Sequence, residues 1–501
     1  MKRVKLLDPS QVAKQISDGE AITVMASSGV AVPEVLLQSI EQHYIEYGRP
    51  RDLTVFFPIA VGDTYGIEGL EHLAHEGLVK RLIGGSYTVG RFSYGRSRLT
   101  QMVLQDKVEA YNLPQGVMMQ LLREIARKSP GLITKVGLGT FVDPRLCGGR
   151  LNNITKHSYT KLIEIDSEEW LLYPSISLDV ALLRGSTADE YGNISFEHEG
   201  TFLGALQQAI AVHNSGGRVI VQVKRLASGG SIPPQQVRIP GVFVDAVVVV
   251  ENQPQATLLD YNPGVSGELR VANWDTLKWP MPEFAQLICK RVLDELDDGY
   301  IVCVGYGVPG FLPQFWYETG CKPDVTFVIE QGPIGGIPLA GSRFGISVNP
   351  LAFLDSPSNF DFLDGGGFDV AILAFAEVDE GGNVNVHMLP DQIPGCGGFM
   401  NIINNARKLI FCGSFTATGL KVISSDGTVS ILEEGKHIRF RKNIRSITFP
   451  AHRFRNRDVL YVTERCVFKL TSNGLNLIEV FPGIDVKKHV LSAMEFKPSF
   501  V

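Results

Sequence analysis

Short apolar runs alternate along this chain with amphipathic stretches. The runs at 21–25, 53–57, 301–304, 325–329 and 370–375 are rich in valine, isoleucine and phenylalanine, the composition of buried strands. Residues 12–17, 35–44, 116–128 and 284–296 instead space their apolar side chains at the helical period. Strand–helix alternation of this kind predicts an α/β fold, with mainly parallel sheets flanked by helices on both faces.

An internal repeat divides the pattern in two. Asp179-Val-Ala-Leu-Leu183, followed by Asp189-Glu190, Gly192 and Asn193, returns as Asp369-Val-Ala-Ile-Leu373 with Asp379-Glu380, Gly382 and Asn383. The same register carries Arg218-Val-Ile220 onto Lys408-Leu-Ile410. A weaker echo pairs Asp18-Gly19, Val24 and Gly29-Val30 with Asp298-Gly299, Val304 and Gly307-Val308. Three echoes in one order predict two homologous domains, at 1–250 and 283–501. Residues 251–282, rich in Asn, Pro, Gln and Gly, are the expected linker. Ligand clefts favour such domain interfaces, so the active site is expected between the halves.

Composition removes several function classes. At 501 residues the chain is too long for one core, which agrees with two domains. A net charge of −6 without a long basic run argues against nucleic acid as the main partner. The uncharged apolar stretches fall short of the roughly 20 residues that a membrane span needs, and residues 1–8 are not followed by a signal-like apolar segment. Seven scattered cysteines without a Cys-x-x-Cys pair suit reduced thiols in a cytoplasmic protein.

Candidate chemistry gathers in glycine-rich loops at the ends of apolar runs. Glu330-Gln-Gly-Pro-Ile-Gly-Gly336 follows the run at 325–329. A strand would hold the carboxylate still while glycines let a bulky ligand approach it, as a carboxylate nucleophile requires. A solvated turn glutamate would leave the same trace. Asn112-Leu-Pro-Gln115-Gly116 precedes a helical pattern, and the Gln115 amide is a candidate donor to an oxyanion, though capping glutamines are common. In Gly395-Cys-Gly-Gly398-Phe-Met-Asn401, successive glycines can present bare N–H groups to an anion. Cys396 has no histidine near it in sequence to activate it.

Competing motifs are weaker. Gly305-Tyr-Gly307-Val-Pro-Gly310 is a G-x-G-x-x-G after a strand, with Glu330 lying 20 residues beyond it. A dinucleotide site, however, gives no role to the glycines after Glu330. His72 and His75 lack further ligands and read as a surface pair, and Asp361, Asp364 and Asp369 lack the EF-hand glutamate.

Taken together, these loops resemble those of the family I coenzyme A transferases, in the form where both halves are fused in one chain and short-chain acids such as acetate and propionate are used. The match carries Glu330-x-Gly332-x-x-Gly335-Gly336, Pro114-Gln115-Gly116, and Gly395-x-Gly397-Gly398, together with the stretch 136–144. Many relatives continue the last motif with Ala-Met-Asp, where this chain has Phe-Met-Asn401.

The resemblance implies transfer of coenzyme A between acyl-CoA thioesters and free carboxylates such as acetate, propionate, butyrate and acetoacetate. Glu330 is the implied nucleophile, carrying a glutamyl-CoA thioester, with Gln115 and the Gly398 amide holding the oxyanion. Gly332, Gly335, Gly336, Gly395, Gly397 and Asn401 are the implied contacts to coenzyme A or substrate. Coenzyme A would be a co-substrate, with no permanently bound cofactor and no metal, and the enzyme a cytoplasmic homodimer or homotetramer. A carboxylate is already ionised near neutral pH, so no general base is expected. A short-chain acyl-CoA hydrolase, a silent acyl-CoA-binding protein and a dinucleotide oxidoreductase are the alternatives.

Overall fold

The computed structural model describes residues 3–63, 66–87 and 97–500. The first half is built on an eight-stranded, wholly parallel sheet. Its order is Lys5–Leu6, Ala246–Val249, Arg218–Val223, Val180–Arg184, Ala21–Val24, Leu53–Phe57, Val79–Gly84 and Glu109–Asn112. The second half carries a ten-stranded sheet whose middle repeats that arrangement. Lys408–Cys412, Val370–Ala374, Ile301–Val304 and Thr326–Val328 lie side by side and parallel, in the places of 218–223, 180–184, 21–24 and 53–57. The predicted α/β architecture of two homologous halves is therefore the observed one.

The repeat survives down to single hydrogen bonds. Asp179 accepts from the Ala21 N–H at 2.8 Å, and Asp369 accepts from the Ile301 N–H at the same distance. Each aspartate thus satisfies the first donor of the strand beside its own. In the turn that follows, the Asn193 backbone N–H and side-chain amide both donate to Asp189, each at 3.0 Å. Asn383 donates to Asp379 in the same two ways at 2.9 Å. Gly192 and Gly382 close these turns at φ 84° and 87°, a conformation that suits glycine.

Differences from the sequence pattern have local causes. Residues 12–17 form no α-helix; they lie in short 3₁₀ turns at Pro9–Gln11 and Ala13–Gln15, the first opened by Asp8 capping the Ser10 N–H. The second sheet continues past Asp458–Val462 into the antiparallel strands Cys466–Thr471 and Gly474–Val480, a meander outside the parallel expectation. Segment 251–282 is firmly packed although its composition suggests a loose connection. Gln253, Gln255, Thr257, Val265, Trp274 and Leu277 are buried in it. Its glutamines are satisfied by backbone carbonyls, Gln253 donating to Gly185 and Gln255 to His198, both at 2.8 Å. Buried amides with partners lose little on leaving water.

Three helices join the halves. Gln115–Ala126 follows Pro114, whose extended backbone suits the entry to a helix, and buries Val117, Met118, Leu121, Leu122 and Ile125 on one face. Each such side chain contributes about 1.5–3 kcal/mol when fully buried. From the second half come Ser356–Asp364, capped by Asp355 on the Ser358 N–H at 2.7 Å, and Phe399–Asn405. Met118, Leu122, Phe360, Leu363 and Met400 share one continuous core across this junction.

Candidate active site

Glu330 stands just past the carboxyl end of Thr326–Val328, where the chain leaves the sheet between the halves. The backbone there is tightly held. The Asn359 side-chain amide donates to the carbonyls of both Ile329 and Glu330 at 3.0 Å, and the Thr201 hydroxyl, from the other half, donates to the Gln331 carbonyl at 2.6 Å. The Glu330 carboxylate accepts from the Gly398 N–H at 2.9 Å on Oε2 and from the Gln331 amide at 3.2 Å on Oε1. No cation pairs with it among the described residues, and burial pushes its pKa from an ordinary 4.5 up to about 7, the two donors pulling back. Burial thus works against the ionised form on which the sequence-based expectation rested.

Gln115 enters from the first half. It is fully buried at the start of its helix, and neither end of its side-chain amide has a hydrogen-bond partner among the described residues. A buried amide left unpaired costs on the order of 1–3 kcal/mol, so this group is set for a ligand. A Cβ built at Gly397 would stand 3.7 Å from Gln115 Oε1 and also 3.7 Å from Glu330 Oε1. The two side chains therefore flank one space, and the missing side chain of Gly397 keeps it open. A Cβ at Gly398 would reach 2.1 Å from Glu330 Oε2, so only glycine brings an N–H onto the carboxylate there.

The loops around this space are stitched together across the halves. The Gln115 N–H donates to the Gly397 carbonyl and the Gly397 N–H to the Gly85 carbonyl, each at 2.9 Å. Asn112 donates to the carbonyls of Gly84 and Gly85 while accepting from the Cys396 N–H at 3.0 Å. Asn112, Asn359 and Gln331 are positioning groups that sequence reasoning passed over. Asn112 and Gln331 lie inside motifs already singled out, but a lone amide residue carries no pattern that reveals its partners.

The backbone groups of the remaining loop residues hold the loops in shape. The Gly395 and Gly397 N–H groups are spent on the carbonyls of His387 and Gly85, leaving Gly398 as the loop glycine whose amide meets Glu330. Gly332 and Gly335 donate to Ile329 and Phe327. Gly336 sits at φ 68° against the Val348 carbonyl, where a Cβ would come within 2.3 Å. These glycines shape the turn after Glu330. Asn401 is fully buried, its side chain accepting from the Gly116 N–H and donating to Asp364, so its amide ties the two halves together beside the loop.

The competing readings lose their residues. The Cys396 thiol is buried against the Leu113 carbonyl at 3.3 Å, and burial raises its pKa well above the ordinary thiol value, which suits an inert group. Glu330, the acid a dinucleotide site would use, is turned to Gly398. His72 is buried, not on the surface, and lies between Glu34 and Glu41, with His75 Nε2 donating to Glu41 at 2.8 Å. Asp361 and Asp364 are taken up by Gln120 and Arg123. No helix among the described residues is long and apolar enough to cross a membrane.

Comparison with known proteins places this geometry. The coenzyme A transferase family model matches residues 9–250. The chain is 40% identical to acetate CoA-transferase YdiF of Escherichia coli K12, covering 99% of this chain and 93% of that protein. It is also 40% identical to caffeate CoA-transferase of Acetobacterium woodii, covering 99% and 95%. The crystal structure of the acyl-CoA transferase YdiF from E. coli O157:H7, in a thioester complex with CoA, superposes with a TM-score of 0.92 at 38% identity, covering 100% of this chain and 94% of that one. The repeated sheets are thus those of an enzyme, and this chain belongs to the coenzyme A transferase family.

Proposed function

We propose that the chain moves coenzyme A between short-chain acyl-CoA thioesters and carboxylates with Glu330 as nucleophile and Gln115 and the Gly398 N–H as oxyanion donors. The observation that carries this reading is the partnerless Gln115 amide set across one small space from a carboxylate already held by the Gly398 N–H.

The chemistry follows from that placement. A Glu330 oxygen attacks the thioester carbonyl carbon, and the carbonyl π electrons move onto oxygen. Gln115 and Gly398 supply two donors for the resulting oxyanion; one such donor is worth about 3 kcal/mol of barrier. Collapse breaks the C–S bond and gives an acyl-glutamyl anhydride and CoA thiolate. The thiolate then attacks the glutamyl carbonyl carbon, the bond from that carbon to the bridging anhydride oxygen breaks, and the first acyl group leaves with that oxygen as its carboxylate. Glu330 is now a CoA thioester, and an incoming carboxylate runs the steps in reverse. Desolvation makes Glu330 a stronger nucleophile than a hydrated carboxylate, and the packed junction of the halves keeps water from the anhydride.

Coenzyme A in this scheme is a co-substrate. The relatives of equal identity act on acetate and on caffeate, so likeness alone does not choose the acid; acetate and propionate are the pair we would test first. The reading also takes the enzyme as a cytoplasmic homo-oligomer, consistent with seven cysteines none of which is paired; sedimentation gives the subunit number.

The test is intact-protein mass after incubation with acetyl-CoA, wild type beside Glu330→Ala. The expected result is a CoA adduct on wild type alone, cleared by propionate with propionyl-CoA appearing. An adduct on both proteins moves the nucleophile elsewhere. CoA release without any acceptor points to a hydrolase, and no adduct with no exchange removes these substrates from the reading.

A further inference from the structure

The two oxyanion donors come from opposite halves, so their spacing depends on how helix Gln115–Ala126 is seated on helix Phe399–Asn405. One polar chain, buried at Asn401 and half-buried at Asp364 and Gln120, spans that seat. Asn401 Oδ1 accepts from the Gly116 N–H at 3.0 Å, next to Gln115. Its Nδ2 donates to both oxygens of Asp364, at 3.0 and 3.2 Å. Asp364 also accepts from the Gln120 amide at 2.8 Å, one turn along the helix from Gly116. Asp364 ends the helix Ser356–Asp364, and Asn359 of that helix holds the carbonyls of Ile329 and Glu330. One helix therefore touches the nucleophile's backbone, the Gln115 helix and the Gly398 helix.

We infer that Asp364 is a positioning residue that acts through Asn401 to hold the Gln115 and Gly398 donors in register with Glu330. The logic lies in donor count. At position 401 the side chain must accept from Gly116 and, on its other end, meet Asp364. An amide does both at once. Asp364 accepts only, when ionised, so it fixes which end of the Asn401 amide faces Gly116. Without it the amide is free to flip, and an NH₂ group turned to the Gly116 N–H would push the helix start away. Asn401 and Gly116 are buried, while Asp364 and Gln120 are half-buried at the edge of this polar chain; burial moves the Asp364 carboxyl up to about 6, and Asp361 and Arg123 are the charged groups beside it. A shift of a few tenths of an ångström at Gly116 reaches Gln115 directly, and oxyanion stabilisation depends steeply on such distances.

This inference rests on the transferase reading above, and its test separates the two. The rate of CoA-adduct formation, KM for acetyl-CoA and the melting temperature are measured for wild type, Asn401→Asp, Asp364→Asn and the reciprocal double variant. Asn401→Asp sets two carboxylates face to face and is expected to slow adduct formation by about ten- to a hundredfold, the range of coupling for residues in contact, with KM little changed. In the double variant the carboxylate now at position 401 accepts from Gly116 while the amide now at position 364 donates to it, so most of the rate returns. A wild-type rate in Asn401→Asp, or a double variant no faster than Asn401→Asp, overturns the inference. So does a rate that follows melting temperature alone across the set. If Asn401→Asp does not fold, Asp364→Leu takes its place, near in shape and without an acceptor; an unchanged rate there overturns the inference as well. A wild type that exchanges no CoA defeats the transferase reading itself.

Discussion

Replacing Glu330 with glutamine removes a nucleophile and a buried charge together, and the second effect gives a sharp test of the site. In the folded protein the carboxyl titrates near 7 against an ordinary 4.5, chiefly because burial disfavours its charged form. Between those two pH values the folded protein holds a proton that the unfolded chain has released. Stability therefore falls as pH rises through that window, and the full cost is present above about pH 7. At about 1.4 kcal/mol per pH unit, the ionised carboxylate costs the folded state roughly 3 kcal/mol. Below pH 4.5 both states are protonated and the cost vanishes. Glutamine keeps an acceptor for the Gly398 N–H without the charge. Glu330→Gln is accordingly expected to form no CoA adduct and to unfold at a higher temperature than wild type at pH 8.5, with the gap closing by pH 5. Scanning calorimetry of both proteins at the two pH values measures it. A gap of equal size at both, or a wild type more stable at pH 8.5, refutes the claim that burial raises this carboxyl.

Other outcomes follow from the same geometry. Gln115→Ala is expected to lower kcat by about 10²–10³-fold without lowering the melting temperature, because it removes a buried amide that bonds to no described residue; steady-state kinetics with calorimetry check both parts. Gly398→Ala drives a Cβ to 2.1 Å from Glu330 Oε2 and 2.9 Å from the Phe360 ring, so it is expected to abolish the adduct seen by mass spectrometry. The rate of adduct formation in stopped flow is expected to fall about tenfold per pH unit below pH 7, as Glu330 takes up its proton, and to level off above it. A flat profile from pH 5 to 8 contradicts the raised pKa.

Much of the fold was legible in the chain. The strands at 53–57, 301–304 and 370–374 and the helices beginning near 34, 115 and 283 follow from periodicity, since burial of one face imposes a fixed spacing on apolar residues. The repeat exposed the paired sheets because its aspartates serve strands and turns that both halves need. Less readable was the segment 251–282. Its glutamines look solvated until the carbonyls that satisfy them are placed beside them. The helix expected at 12–17 gave way because an aspartate cap and a proline start a tighter turn there.

The candidate site divides along the same line. By itself the sequence determined which residues could act, since Glu330, Gln115 and Gly398 lie in short glycine-bearing motifs whose chemistry is local. Only the tertiary structure decided what each group does. Gly398 meets the carboxylate while Gly395 and Gly397 hold the loop, Asn401 ties Gly116 to Asp364, and burial pushes the Glu330 carboxyl up to about 7. Those roles depend on distances and on exclusion of water between segments more than 200 residues apart, such as Gln115 and Gly397. Hydrogen bonding and desolvation are set by such through-space neighbours, and a linear pattern carries no record of them.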